Sequence, residues 1–326
     1  MRVKVGTFNL NNLFSRFNFS ASINEIQDAG TDAAAMSVRY EFTGDDPVRI
    51  RQFRGALIRA KDEVDTQRIA DRVLEMDVDV LAVQEVENID ILKDFNRRFL
   101  NGLYEFQMLH EGNDPRFIDV GFLSKLPVGS IASFQTAVHP DRPDEPVFGR
   151  DLLEMEILNS TGTRRILTIY NNHLKSHFVP FNQDPVEGAR KANERRARQA
   201  ATVARIVEAR TRPDTRYIIT GDMNDPPASE FLEPLTQSNL GIVDGLSNPT
   251  QTRANKPETD PADEPTTTAW THRFKASGEP PRHELLDHIW LSPSLADRLE
   301  GAFIDRRKLH GGDGSDHDPA WVELDL

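Results

Sequence analysis

Short apolar runs recur along the whole 326-residue chain, each about four to eight residues long and rich in Val, Ile, Leu and Phe. Runs of this length and composition are typical of buried β-strands, because helices need longer segments with a helical repeat. A dozen runs is more than a small sheet needs. The candidate strands are residues 2–9, 78–84, 105–109, 118–124, 131–135, 152–158, 165–171, 217–220, 268–271, 285–291, 302–305 and 321–324.

Helical spacing appears in three further segments, residues 65–76, 89–99 and 187–210. In the last of these, Ala200 and Val203 recur on one face at helical intervals. Strands outnumber helices, and the helices are spread along the chain. This order predicts two packed sheets with helices covering their outer faces.

Composition narrows the chemistry. The chain has no cysteine, which excludes disulfides, thiolate metal sites and a cysteine nucleophile, so any metal must bind to oxygen or imidazole. Lys and Arg total 39 against 52 for Asp and Glu, a net charge of −13. This is the wrong sign for coating nucleic acid by bulk charge, so phosphate binding would have to be local.

Membrane insertion and export are not indicated. No apolar run approaches the roughly 18 residues of a membrane span. Residues 2–9 already show the alternating pattern of a strand, which leaves no room for the apolar core of a signal peptide. We therefore expect a cytoplasmic protein.

Residues of chemical interest run from Asn9 to Asp318, and a site drawn from both ends of a chain predicts one domain, residues 1–326. Within it, residues 18–61 form an insertion with a basic end, and residues 247–266, with four prolines, predict a long mobile loop. The basic residues of the insertion are Arg49, Arg51, Arg54, Arg59 and Lys61.

Polar side chains cluster where the predicted strands end. Asn9 and Asn11 would share one side of the first strand, and Asp222 and Asn224 would do so if the chain stays extended. Glu85 ends an almost wholly apolar strand, where an unpaired charge is costly, so a cation is expected there. The full set is Asn9, Asn11, Glu85, His173, Lys175, Asp222, Asn224, Asp287, Asp316 and His317.

Any one of these motifs is more typical of an ordinary turn than of a site. Six of them in one order are far more specific. The order Asn, Glu, Asn-His, Gly-Asp-x-Asn, Asp-His, Ser-Asp-His resembles that of the endonuclease/exonuclease/phosphatase superfamily, which has the DNase I-like fold. The resemblance runs through nearly the whole chain.

The resemblance implies an α+β fold, a four-layer αββα sandwich of two mostly antiparallel sheets with the site in a cleft at one end. It implies Mg²⁺ (or Mn²⁺) as cofactor, with Glu85 as the main ligand and Asn11 and Asp316 near the metal. Asn9 would hold the phosphate or the metal-bound water. Asn11 stands where many members have Asp, which removes one negative charge from the metal site.

The remaining roles are implied in the same way. Asp222 would position or help to deprotonate the attacking water, while Asn224 and Lys175 would contact phosphate oxygens. His173 would hydrogen-bond the phosphoryl oxygen. His317 would be the general base, oriented by Asp287, since a histidine bonded to a carboxylate gains basicity. Which of Asp222 and His317 takes the proton stays open, and His288 stands where Tyr is common in the family.

The substrate is less constrained than the reaction. Four local sequence motifs look most like those of the bacterial extracellular-nuclease branch, which implies hydrolysis of DNA. They are residues 8–14, 84–88, 118–124 and 171–176. Net charge and the missing export signal oppose this interpretation. Local basic groups partly answer the objection, namely the end of the insertion and a helix stripe of Lys191, Arg195, Arg198 and Arg205.

Two alternatives stay open. One is a phosphatase, or a lipid- or inositol-type phosphoesterase, on the same site. The other is an inactive member that serves as a binding module, which the complete set of site residues disfavours. Six other histidines have no partner spacing that would assign them a role: His110, His139, His177, His272, His283 and His310.

Overall fold

The structure is a computed structural model that describes residues 1–14, 61–180, 182–308, 310 and 312–326. The arginines of the predicted basic insertion lie outside the described residues, and only Lys61 at its end is included.

Seventeen strands and five α-helices are present in the described part of the chain. The strands are β1 (Arg2–Leu13), β2 (Val80–Val86), β3 (Phe106–His110), β4 (Asp119–Ser124), β5 (Val128–Ser133), β6 (Val138–His139), β7 (Arg142–Pro146), β8 (Leu152–Leu158), β9 (Arg165–His173), β10 (Tyr217–Asp222), β11 (Val243–Asp244), β12 (Thr250–Gln251), β13 (His272–Phe274), β14 (Arg282–Glu284), β15 (Asp287–Leu291), β16 (Leu299–Ile304) and β17 (Ala320–Asp325). The helices are α1 (Glu63–Met76), α2 (Ile89–Phe99), α3 (Pro185–Arg210), α4 (Glu233–Thr236) and α5 (Pro293–Ala296).

Two large mixed sheets form the centre of the molecule. A seven-stranded sheet has the order β12-β16-β17-β1-β2-β4-β3, and a six-stranded sheet has the order β11-β15-β10-β9-β8-β5. The pairs β1–β2, β9–β10 and β12–β16 are parallel, and the other described pairs are antiparallel. Each sheet therefore has one central parallel pair whose strands end at the same edge.

Alternation along β1 shows how the layers form. Val3 and Val5 pack in the core between the two sheets, whereas Phe8 and Leu10 pack outward under α1 and α2. On the other side of the molecule, α3 covers the six-stranded sheet through an apolar stripe that includes Val203. The architecture is the αββα sandwich of the DNase I-like fold, which confirms the predicted fold class.

The three predicted helices are present and begin at capping residues. Asp62 accepts a hydrogen bond from the backbone N–H of Asp65 at the start of α1, and Asn88 and Asp184 cap α2 and α3 in the same way. Helix α1 ends where Asp77 takes a left-handed conformation, with φ of 46°. Local side-chain chemistry therefore sets these helix boundaries.

The predicted strand at residues 268–271 is wrong. That segment has no strand pairing, and the neighbouring strand is β13, which pairs with β14. Trp270 and Thr271 are nevertheless buried, and the carbonyl oxygen of Thr271 accepts from the N–H of Asp318 at 2.6 Å. Burial in a crossing segment thus produces the same apolar pattern as a strand.

Residues 247–266 contain β12, a 3₁₀ turn at Pro261–Asp263 and the buried side chain of Glu258, which accepts two hydrogen bonds from Arg273.

Within the described part of the chain, no helix is both long enough and apolar enough to cross a membrane.

Candidate active site

Strand register brings three of the predicted site residues into one row. His173 is the last residue of β9, Asp222 the last of β10 and Asp287 the first of β15. The pairing sets Asp222 opposite His173 on one side and opposite Asp287 on the other. One edge of the six-stranded sheet therefore presents a histidine and two carboxylates side by side.

Asp222 is the centre of this arrangement. Its Oδ2 accepts from Nδ2 of Asn9, in the other sheet, at 2.9 Å, and lies 3.4 Å from Nε2 of His173. Nε2 of His317 lies 3.8 Å from the same oxygen. Asp222 is almost fully buried, and burial raises its pKa. One carboxylate oxygen thus faces nitrogen atoms from three separate parts of the chain.

His317 is held by Asp287. Its Nδ1 lies 2.7 Å from Oδ2 of Asp287, and the N–H of Asp287 donates to Oγ1 of Thr271 at 3.1 Å. This contact leaves Nε2 of His317 facing Asp222. The structure therefore shows the His–Asp pair that the sequence predicted.

The loop that carries His317 is held by contacts to β1 and to α1. Oγ of Ser315 donates to the carbonyl oxygen of Asn9 at 2.7 Å and accepts from the N–H of His317 at 3.0 Å. Behind the loop, Arg72 of α1 donates to the carbonyl oxygen of His317 at 3.3 Å. Arg72 also pairs with the buried Asp318 at 2.9 Å.

The pKa values of the two histidines beside Asp222 are shifted in opposite directions. Burial lowers the pKa of His173 well below its usual value, and the positive charge of Arg150 lowers it further. Burial opposes the charged form of His317 too, but Asp287 and Asp222 outweigh it and raise the pKa of His317 well above its usual value. The site therefore holds one neutral and one readily protonated imidazole.

Glu85 lies at an irregularity in β2. The register with β4 shifts between Gln84 and Val86, and Glu85 has φ of 60°. A left-handed non-glycine residue costs roughly 1–2 kcal/mol, and such strain is frequent at functional sites. A β-bulge re-aims a side chain. The predicted strand thus continues one residue past Glu85 instead of ending on it.

Asn11 and Asn12 lie next to Glu85. Both have positive φ, 47° and 58°, and the N–H of Asn12 donates to Oε2 of Glu85 at 2.9 Å. The N–H of Asn11 turns back to Oδ1 of Asn9 at 2.9 Å. The simple alternation expected for Asn9 and Asn11 is therefore interrupted where β1 meets the end of β2.

These residues fit a hard divalent cation. Burial raises the pKa of Glu85, and the negative charge of Asp316 raises it further, so the two carboxylates repel one another. A cation between them would relieve both effects. Carboxylate and amide oxygens, of the kind that Glu85, Asp316 and Asn11 offer, are the ligands such an ion prefers.

Asn224 also departs from the extended spacing that the sequence suggested. It has φ of 55°, its N–H donates to Oδ1 of Asp222 at 2.9 Å, and its Nδ2 donates to the carbonyl oxygen of Leu174 at 3.1 Å. The chain turns immediately after β10. A local turn, not strand alternation, brings Asn224 back to Asp222.

Sequence reasoning missed Arg150, a buried cation just before β8. Its Nη1 donates to the carbonyl oxygen of Leu174 at 3.0 Å, and its Nε lies 3.1 Å from Oδ2 of Asp114. Lys175 donates to two carbonyl oxygens of its own loop, and burial and Arg150 lower its pKa to about 8. Arg150 stands alone between Gly149 and Asp151 in the sequence, so no local motif marks it.

Two of the histidines with no assigned role, His272 and His177, contact residues in or next to the candidate site. His272 packs against His317 with ring centroids 5.0 Å apart, and Nε2 of His177 lies 3.3 Å from Oδ1 of Asp225. Both partners lie more than 40 residues away in sequence. Contacts of this kind leave no spacing signal in a single chain.

Comparison with known proteins agrees with this geometry. The model of the Endonuclease/Exonuclease/phosphatase family matches residues 6–317. No curated protein sequence matches the chain.

Solved structures of similar fold cover almost the whole chain. An endonuclease/exonuclease/phosphatase from Bacteroides vulgatus has 15% identity and a TM-score of 0.60 over 100% of this chain and 99% of its own. Truncated Caenorhabditis elegans TDP2 has 15% identity and a TM-score of 0.57, with coverage of 100% and 98%. A mannosyl-6-phosphatase from Bacteroides thetaiotaomicron has 14% identity and a TM-score of 0.55, with coverage of 99% and 100%.

Proposed function

The chain belongs to the endonuclease/exonuclease/phosphatase family and is a phosphoesterase, and we propose that it hydrolyses phosphodiester bonds of DNA with Mg²⁺ or Mn²⁺ as cofactor. The observation that carries the proposal is the convergence of Asn9, His173 and His317 on one oxygen of Asp222.

The Asp222–His317 pair takes up the proton of the attacking water. The two groups lie 3.8 Å apart and interact electrostatically, so they accept a proton as a coupled pair. Asp287 stabilises the protonated imidazole of His317 through the 2.7 Å contact. Asn9 keeps the carboxylate of Asp222 in place with its 2.9 Å hydrogen bond.

His173 acts as a neutral hydrogen-bond donor. Its lowered pKa keeps it uncharged near neutral pH, so its N–H can bind a phosphoryl oxygen as negative charge builds there. Asn9 and Asn224 are neutral donors on either side of Asp222. By analogy with deletions of oxyanion-hole donors, each such donor is worth roughly 3 kcal/mol in the transition state.

Glu85, Asn11 and Asp316 would hold the metal ion. When bound, a divalent cation of this kind neutralises charge on the phosphate and on the departing oxygen. Glu85→Gln and Glu85→Ala should therefore abolish the response of activity to Mg²⁺. Near-full turnover by Glu85→Gln at low Mg²⁺ would contradict this ligand assignment.

Local positive charge favours DNA over a monoester. Electrostatic interactions link three basic side chains near the site, Arg116, Arg150 and Lys175. Lys175 also interacts in this way with Arg195 of α3. Such a group can grip successive phosphates without reading bases. The arginines at residues 49–59 add further positive charge in sequence.

The competing candidate is a phosphatase, or a lipid- or inositol-type phosphoesterase, on the same site. The mannosyl-6-phosphatase of similar fold supports it, because the same architecture there carries the name of a monoesterase. A phosphatase needs affinity for a single headgroup, whereas a nuclease needs affinity for a chain of phosphates.

A substrate panel tests the choice. Plasmid DNA, single-stranded DNA, RNA, p-nitrophenyl phosphate, inositol phosphates and sphingomyelin are each incubated with Mg²⁺ and again with EDTA. We expect DNA to be cleaved in Mg²⁺ and not in EDTA. We also expect DNA binding to weaken as salt rises, with a slope of a few units when log K is plotted against log[salt]. Turnover of a monoester without turnover of DNA, together with salt-independent binding, would show a phosphatase. DNA binding without turnover of any ester would show a binding module.

We also propose that residues 1–326 form one domain. Strands β1 and β17 pair along their length, and Asn9 and His317 meet at Asp222. Limited proteolysis should therefore release no folded fragment that lacks either end.

A further inference from the structure

A group of ligands with a different chemistry adjoins the proposed Mg²⁺ site and shares with it the carboxylate of Asp316, which has two oxygen atoms. His272, Asp316 and His317 each offer one ligand atom, and these three atoms all lie within 4.8 Å of one another. Nε2 of His272 is 3.8 Å from Oδ2 of Asp316. Two imidazoles and one carboxylate thus converge where the site opens to solvent.

The backbone holds the two imidazoles in place. His272 and His317 form an isolated antiparallel bridge, and the N–H of Asp318 donates to the carbonyl oxygen of Thr271 at 2.6 Å. This short pairing sets the two histidines directly opposite one another. The side chain of Asp316 is 55% exposed, so it can adjust to an ion that enters from solvent.

The geometry suits a tetrahedral ion with nitrogen ligands. Nδ1 of His317 is bonded to Asp287, which leaves Nε2 as the ligand atom, the carboxylate–histidine arrangement common around zinc. With metal–nitrogen bonds near 2.0–2.1 Å, tetrahedral ligand atoms lie about 3.3 Å apart. The three groups need to close by at most about 1.5 Å to reach that spacing.

We propose that His272, Asp316 and His317 form a second metal site that selects a transition-metal ion such as Zn²⁺ over Mg²⁺. Imidazole suits Zn²⁺ and its neighbours, whereas Mg²⁺ takes oxygen ligands. An ion there occupies the imidazole that the proposed hydrolysis needs free, so it inhibits the reaction. The inhibition rests on the proposed function; the binding does not.

Binding is measured with Co²⁺, a spectroscopic substitute for Zn²⁺, in saturating Mg²⁺ so that the oxygen site is occupied. We expect one Co²⁺ per chain with the intense visible absorption of a tetrahedral or five-coordinate ion, and its loss on addition of Zn²⁺. His272→Asn and Asp316→Asn should each weaken binding at least about 10-fold, as loss of a ligand requires.

His139→Asn is the matched control. Its side chain is 15% exposed against 16% for His272, and it also faces one carboxylate, that of Asp141 at 3.5 Å. We expect this variant to bind Co²⁺ as the wild type does. Circular dichroism of every variant checks the fold, and His272→Gln replaces His272→Asn in the test if that variant does not fold.

Inhibition of activity by Zn²⁺ distinguishes a failure of this site from a failure of the proposed function. In Mg²⁺, the Zn²⁺ concentration for half-inhibition should rise at least about 10-fold in His272→Asn. Wild-type binding of Co²⁺ that depends on His272, without hydrolysis of any phosphodiester, would overturn the proposed function and leave the site standing. Absence of Co²⁺ binding to the wild type, or binding unchanged in a folded variant of His272, would overturn the site.

Discussion

His173 and His317 flank the same carboxylate oxygen, 3.4 Å and 3.8 Å from Oδ2 of Asp222, yet their pKa values shift in opposite directions. Both side chains are buried, which disfavours the charged form in each. The difference comes from the second neighbour. His317 also has Asp287, whereas His173 lies in the field of the cation Arg150.

The comparison shows that contact with a carboxylate does not by itself make a histidine basic. The proposed hydrolysis uses both kinds of imidazole, one that exchanges a proton and one that donates a hydrogen bond while it stays neutral. The two sides of Asp222 supply one of each. Replacing the second neighbours should therefore reverse or weaken the contrast.

The largest effect is expected from Asp287→Asn. Loss of the carboxylate removes the main interaction that raises the pKa of His317, so kcat should fall by roughly 10²–10⁴-fold and the limb of the pH–rate profile that reports His317 should move to lower pH. Initial rates on DNA across pH measure both. Asp141→Asn, beside His139, is the control and should behave as wild type. An unchanged profile in Asp287→Asn would remove His317 from the proton-transfer step.

Removal of the histidines themselves should be nearly as damaging. His317→Ala and His173→Ala should each lower kcat by about 10²-fold or more with little change in KM, because both act mainly in the transition state. A double variant no worse than the single ones would show that they operate as a unit. His139→Ala is the control, because its partner Asp141 is not one of the proposed site residues, whereas His177 contacts Asp225, the neighbour of Asn224. A loss of equal size in the control would contradict the assignment.

Arg150→Gln should reduce the difference between the two pKa values by acting on His173. With the cation gone, the pKa of His173 should rise, but only part of the way to its usual value, because burial is the larger cause of the shift. Titration of the imidazole resonances by NMR follows this directly. Arg97→Gln, on the exposed face of α2, is the control. If the pKa of His173 did not move, Arg150 would not act on it electrostatically.

The smallest effect concerns stability. His317 has a raised pKa, so its contribution to the free energy of unfolding is full below about pH 6.5 and is lost as pH rises through its folded value. His173 has a lowered pKa, so its contribution is present above about pH 6.5 and is lost as pH falls.

Urea unfolding in EDTA at pH 5 and pH 8 tests this difference. The stability gap between wild type and His317→Asn should shrink with rising pH, and the gap for His173→Asn should grow. Gaps that changed in the same direction would contradict the opposite shifts.

Much of this arrangement could be predicted from the sequence. Short apolar runs and helical spacing are local signals, so they predicted two packed sheets with outer helices and the bounds of α2 unchanged. The family resemblance of the motif order indicated the αββα sandwich and the residues around Asp222. The 268–271 segment failed because burial without strand pairing looks the same in sequence.

The remainder depends on contacts that one sequence does not encode locally. Arg150 contacts the site through the carbonyl oxygen of Leu174, and His272 does so through a single backbone bridge. The left-handed conformations of Asn11 and Asn224 replace the alternation that spacing alone suggests. Asn tolerates such a turn, but nothing in the sequence marks Glu85 as strained.

The pairing of β1 with β17 has a consequence for folding. Arg2 pairs with Asp325, so one edge of β1 stays open until the last strand has been synthesised, and an open edge can pair with other chains. Non-local pairing of this kind is also slow, because a very long loop must close before the contact forms. Asn9 is synthesised long before Ser315 and His317, so the proposed active site cannot be complete before the C-terminal strand has docked.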